Sequence, residues 1–148
     1  MTKLGTVLGF LIKDAPVKDA PPLNQARLVA DALADIRDMD REHFVVFYLN
    51  ARSQVIASYT VSVGTLSASL VHPREVFKGA ILRNAAAIIV AHNHPSGNIE
   101  ASPEDRDCTR RLAQAGTLLG IPLLDHVIVG AMSAEYTSFK ERGLMPCS

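Results

Sequence analysis

Ala91-His92-Asn93-His94-Pro95-Ser96-Gly97, continued by Ser102-Pro103-Glu104-Asp105, is the stretch on which the reading of this chain turns. It closes an apolar run over 85–91, short and unbroken enough to be a buried strand. On a strand, residues two apart point to the same side, so His92 and His94 present their imidazoles together. Pro95-Ser96-Gly97-Asn98 has strong turn chemistry and can fold the chain back. Ser102-Pro103-Glu104-Asp105 then reads as a helix start, with Ser as N-cap, Pro at the first helical position and acids in the first turn.

Two imidazoles at the exit of a buried strand can share one metal ion. Zn2+ accepts His nitrogen and Asp oxygen, and a catalytic site uses three protein ligands and keeps the fourth position open. Each part alone has an ordinary explanation. A bare Ser-x-x-Asp is usually only a cap, and a lone His-x-His at a strand end is more often structural. Together, at this spacing and behind a buried strand, they favour a metal site held by His92, His94 and Asp105. Capping and ligation are compatible, because Ser102 can cap with one lone pair and donate its proton elsewhere.

At these residues the chain resembles a known family. His92, His94, Ser102 and Asp105 match the JAMM metalloprotease signature of the MPN superfamily. His92-Asn93-His94-Pro95-Ser96-Gly97 and Leu124-Asp125-His126-Val127-Ile128-Val129-Gly130 look like the RadC-like JAB domain. The resemblance covers residues 22–145, which divides the chain into an extension over 1–21 and a RadC-like JAB/MPN domain over 22–148. It implies a sheet flanked by helices, related in outline to the cytidine deaminases. It further implies one zinc ion per chain, a metal-activated water, Glu42 as general base and Ser102 as oxyanion support. Without the family, Glu42 ranks no higher than Glu75 or Glu104, and its ordinary reading is a surface charge closing a turn. Longer RadC-type proteins carry a helix-hairpin-helix segment before this domain, and the expectation is that 148 residues leave no room for one.

Length and composition bound the rest. With 148 residues the prior is one domain, large enough for a core without staples. A composition 48% hydrophobic and 20% charged is globular. Fifteen basic and fifteen acidic residues cancel, which gives no support for a broad phosphate-binding surface. Arg106, Arg110 and Arg111 cluster near the metal residues but read as a solvated helix face. Cys108 and Cys147 make no disulfide framework, and Cys108 falls at core spacing with Leu112, Ala115 and Leu119. The apolar segment over 4–12 is too short to span a bilayer and lacks a cleavage site, so the expected location is the cytoplasm.

In chain order, 7–12 is an edge strand or one that pairs with another subunit, and 14–22 a connector. A helix is expected over 22–39, with Ala26, Val29, Ala30, Leu33 and Ile36 on one side. The segment 43–49 reads as a buried strand. Over 54–63, Val55, Ala57, Tyr59, Val61 and Val63 alternate with polar residues, so the pair reads as a hairpin. A loop at 64–70 leads to a second helix from Pro73. The central strand follows, then a third helix from 102 to about 116, a strand over 122–130, a last strand over 135–139 and a helical turn at 140–143. The class is α/β or α+β around a central mixed sheet.

The resemblance, with the metal residues, implies a zinc metalloprotease-like hydrolase acting on amide or isopeptide bonds, with a peptide substrate, and it leaves a homo-oligomer open. A DNA-repair factor or metal-dependent nuclease is the alternative, and the neutral charge weighs against it. A zinc nucleoside deaminase would carry His-x-Glu with Pro-Cys-x-x-Cys, which is absent. A non-catalytic interaction module is at odds with the full ligand set. His126 reads as a satisfied core histidine before it reads as a support for the site. His43 and His72 read as structural, and Ser96 and Glu104 as turn and cap residues.

Overall fold

The computed structural model describes residues 6–7, 10–14, 21–64 and 71–147. Its strands are β1 (Thr6–Val7), β2 (Phe10–Asp14), β3 (His43–Leu49), β4 (Val55–Val63), β5 (Ala87–His94), β6 (Leu123–Gly130) and β7 (Tyr136–Ser138). The helices are α1 (Ala26–Asp31), α2 (Pro73–Leu82) and α3 (Pro103–Leu119). Among the described residues the strands form one sheet in the order β1-β2-β4-β3-β5-β6-β7. Every pairing is antiparallel except β5 with β6, which run parallel and are joined through α3. This is the expected mixed sheet flanked by helices.

The β3 and β5 side chains alternate between two cores because successive strand residues face opposite ways. Phe44, Val46, Tyr48, Ile88 and Val90 pack with Val76, Phe77, Cys108 and Leu112 of α2 and α3. Val45, Phe47, Leu49, Ile89 and Ala91 pack with Ala26, Val29, Ala30 and Leu33 at α1. A strand buried on both faces reads as a continuous apolar run, which is why both strands stand out in the sequence. The even-numbered β5 residues, His92 included, therefore face α3.

Several boundaries differ from expectation for tertiary reasons. Helix α1 is much shorter than 22–39. Beyond Asp31 the chain continues in turns, with Leu33 bonded to Ala30 O and Ile36 to Leu33 O. Arg37 then donates to the carbonyls of Ser133 and Glu135, and Asp38 accepts from the Met132 amide. Those contacts draw the segment onto the loop after β6 instead of extending the helix. Helix α3 does not stop at Gly116. A Cβ there would lie 2.5 Å from Ile121 O, so Gly116 is a close approach, and the left-handed C-cap is Gly120, φ 73°.

Ala57, Tyr59 and Val61 share the α2/α3 core as expected, but Val55 and Val63 do not. The β3–β4 register shifts between Tyr48 and Leu49, so Leu49 pairs with Val55 and Val55 packs on the α1 side. At the sheet edge, β2 pairs with β4 and β1 folds back on β2. The loop expected at 64–70 lies outside the described residues apart from Gly64, as does most of the connector at 14–22. The segment 140–143 forms hydrogen-bonded turns, Arg142 N to Ser138 O and Gly143 N to Lys140 O.

Candidate metal centre

The strand β5 runs through the two histidines, three residues beyond the expected 85–91. His94 is paired with Gly130 of β6. Gly130 is where the returning loop passes: a Cβ there would meet Gly97 O at 2.6 Å and Ile99 at 2.9 Å. Gly97 turns the chain with φ 85°, and Thr137 Oγ1 donates to Ile99 O at 2.6 Å, fastening the loop to β7. The chain thus arrives at Ser102 close to the strand it left. There Ser102 Oγ accepts from the Asp105 amide and Asp105 Oδ2 accepts from the Ser102 amide, a reciprocal capping box.

That box fixes Asp105 against both imidazoles. Nε2 of His92 lies 3.2 Å from Asp105 Oδ1, and Nε2 of His94 lies 3.3 Å from Oδ2. The two Nε2 atoms are 2.9 Å apart. Among the described residues, this is the one group of three His, Cys or carboxylate side chains whose donor atoms all come within 4.8 Å. For a tetrahedral ion with Zn–N near 2.0–2.1 Å, neighbouring ligand atoms lie about 3.3 Å apart. The spacing fits, so His92, His94 and Asp105 can hold a metal ion.

The hydrogen-bond partners say which ring atoms are turned toward the Asp105 carboxylate. Thr109 Oγ1 donates to the Asp105 carbonyl at 2.8 Å, so toward His126 Nδ1, 2.6 Å away, it accepts. His126 thus carries its proton on Nδ1 and turns a bare Nε2 to His92 Nδ1, 2.8 Å away. His92 must then donate from Nδ1, which in the neutral ring leaves Nε2 bare. His94 Nδ1 faces the Asn98 carbonyl at 2.6 Å and donates to it, which bares its Nε2 too. Two bare nitrogens this close beside a carboxylate repel each other unless a cation or a proton sits between them.

Without a cation, a protonated imidazole facing the Asp105 carboxylate takes its place, and the pKa shifts follow from that pairing. Burial by itself would raise the Asp105 carboxyl, but the two imidazoles and the Ser102 amide outweigh it and hold it well below the usual range. Burial lowers His94, and the Asp105 carboxylate and Asn98 carbonyl reverse this, leaving it above its ordinary 6.5. Burial keeps His126 neutral, well below that value.

The remaining expected residues fall as follows. Phe44 is opposite His92 in the β3–β5 register. Glu42, two residues before Phe44 and just outside the ladder, lies near enough for its charge to act on His94. Glu42 is half-buried and borders a hollow of about 450 Å³ lined by Asp40, Arg41, Gly64, Pro95 and Ser96. Glu75 instead sits in the first turn of α2, 3.0 Å from Lys78 Nζ. Among the described residues, the Ser102 hydroxyl accepts from Asp105 and donates to none. Ser96 Oγ accepts from the Asn98 amide, a turn contact. His72 caps α2 and His43 Nδ1 lies 3.0 Å from Arg41 O, both as expected. Arg110 pairs with Asp107 on an exposed face of α3, and Arg106 is exposed beside it.

Sequence reasoning missed Thr109 and Asn93 and ranked His126 as core before support. His126 is both, since its ring stacks on that of the buried Phe139, centroids 4.7 Å apart, while its Nε2 serves His92. A buried Thr one helical turn after Asp105, and a polar residue between two histidines on a buried strand, were the available signals.

The RadC-like JAB domain profile matches residues 23–144. The chain belongs to the RadC-like JAB domain family. A UPF0758 protein of Rubrobacter xylanophilus is 58% identical over 110 residues, covering 74% of this chain and 47% of that protein. A UPF0758 protein of Symbiobacterium thermophilum is 52% identical over 142 residues, 95% of this chain and 59% of that protein. One from Desulforamulus reducens is 51% identical over 113 residues, 76% and 49% respectively. This RadC-like JAB chain spans about half the length of the curated relatives it matches. No helix among the described residues is long and apolar enough to cross a membrane.

Proposed function

We propose that this RadC-like JAB domain is a zinc-dependent hydrolase of amide or isopeptide bonds in peptide substrates. The observation that carries the reading is the convergence of the His92 and His94 Nε2 atoms and the Asp105 carboxylate at the end of a buried strand, with the charge of Glu42 acting on His94. When bound, zinc makes water a nucleophile near neutral pH and polarises a carbonyl.

The chain's own residues supply the rest. Glu42 borders an open hollow, where a substrate can approach. Its carboxylate accepts the proton of the attacking water and passes it to the leaving nitrogen. Ser102 keeps its hydroxyl proton for the oxygen that becomes negative in the transition state, while its lone pair caps α3. His126 and Thr109 hold His92 in the tautomer that ligation needs.

The test is elemental analysis of protein purified without chelator, followed by assays on peptide and isopeptide substrates. Glu42→Gln should retain zinc and fold and lose turnover by about 100-fold or more, the typical cost of removing a general base. Glu75→Gln should lose little. Equal activity in the two variants would remove Glu42 from the mechanism.

A further inference from the structure

We propose that Asn93 is a positioning residue for Glu42, a role that rests on reading Glu42 as the proton acceptor. Asn93 lies between the two metal histidines, but strand alternation turns its side chain to the opposite face of β5. It is fully buried. Phe44 with His92 is the last residue pair of the β3–β5 ladder. Beyond it the Asn93 amide takes over from the backbone. Its Oδ1 accepts from the His43 amide at 2.6 Å, and its Nδ2 donates to the Arg41 carbonyl at 2.9 Å. A longer contact, 3.4 Å, reaches the Met39 carbonyl.

These partners bracket Glu42, with the residue before it held by its carbonyl and the residue after it held by its amide. The Glu42 carbonyl itself accepts from the Gly64 amide at 2.9 Å, so the peptide is fixed from both strands flanking β3. Only a side chain with a donor and an acceptor on one short arm can hold an N–H and a C=O of neighbouring residues together. The carboxamide orientation is set by its partners, since a flip would place Nδ2 against an N–H and Oδ1 against two carbonyls. An Asp here keeps the His43 contact and loses the Arg41 contact, and an Ala loses both. One residue thus ties the strand that carries two ligands to the turn that carries the base.

The experiment compares Asn93→Ala, Asn93→Asp, Glu42→Gln and the Glu42→Gln/Asn93→Ala double variant. Zinc affinity should be unchanged in all four, because His92, His94 and Asp105 are intact. In the metal-free protein, hydrogen exchange at the amides of 41–43 should speed up in Asn93→Ala, less in Asn93→Asp, and stay slow in Glu42→Gln. Turnover should fall about 100-fold in Asn93→Ala, the cost of an ångström-scale misplacement, in kcat with KM unchanged. The double variant should be no slower than Glu42→Gln alone, since groups acting as one unit are not additive. Losses that multiply, zinc lost along with turnover, or unchanged exchange at 41–43 would each overturn the proposal. Full activity in Asn93→Ala with Glu42→Gln inactive overturns it alone, whereas full activity in Glu42→Gln overturns the reading of Glu42 as well. Asn93→Asp, nearly isosteric, serves if the Ala variant fails to fold.

Discussion

Phe44 and His92 face each other across β3 and β5, their rings nearly parallel with centroids 5.8 Å apart. Phe44 also meets the His126 ring edge-on at 5.6 Å. A single core aromatic therefore packs against the imidazole that faces the candidate metal position and against the imidazole hydrogen-bonded behind it. The centre is an extension of the hydrophobic core, with its polar atoms turned to one end. That burial makes the hydrogen-bond relay through His126 and Thr109 consequential, because an unpaired polar group there has no water to turn to.

Thr109→Val should expose the relay's importance. It leaves the His126 Nδ1 proton without an acceptor in a buried setting, a cost of about 1–3 kcal/mol in stability. It also frees His92 from its tautomer, so zinc affinity should fall by about 10- to 100-fold. Thr109→Ser keeps the hydroxyl and should restore affinity. Chelator competition measures this, and an equal loss in Ser and Val would point to packing in place of the relay.

Asp105→Ala should abolish binding of one zinc per chain. It removes a ligand, and it leaves two bare imidazole nitrogens 2.9 Å apart with no counter-charge. Elemental analysis and titration with zinc check this. Wild-type affinity in the variant would show that the donor set is wrong.

Ser102→Asp separates capping from catalysis. Asp is as good an N-cap as Ser, so the melting temperature should hardly move. The hydroxyl donor is gone, and turnover should drop by about 100- to 1000-fold. Turnover unchanged from wild type would leave Ser102 with its capping role alone.

Acidification should weaken metal binding. His94 is raised above its ordinary 6.5, so as pH falls through its folded-state value a proton competes with the metal for Nε2. Asp105 is lowered from 3.8 and stays ionised throughout this range. The metal-free protein responds the opposite way. The stabilising contribution of His94 is fully present below 6.5 and lost as pH rises through the raised value. That of Asp105 is present above 3.8 and lost only as pH falls through its lowered value. The melting temperature of chelator-treated protein should therefore fall as pH rises past the His94 value, while zinc affinity rises. Calorimetry and zinc titration across the same buffers check both signs.

Local rules determined much of this protein. Period-two alternation placed His92 and His94 together, the 43–49 strand was legible from its unbroken apolar run, and Ser102-Pro103 marked the start of α3. These are properties of a few consecutive residues, so the sequence alone carries them. The register of β3 against β5, which sets Phe44 opposite His92 and so brings the Glu42 turn near the histidines, is a pairing between segments about fifty residues apart, and no local pattern specifies it. The same holds for the Val55 shift, for the shortened α1 held by the 131–135 loop, and for Thr109 meeting His126 from another element. Asn93 shows the boundary most clearly. Its sequence position says only that a polar residue interrupts a buried strand, and its meaning comes from the Arg41 and His43 backbone that the folded sheet lays beside it. Side-chain direction follows from chain geometry one residue at a time, whereas the identity of the partner is fixed only when the whole core closes.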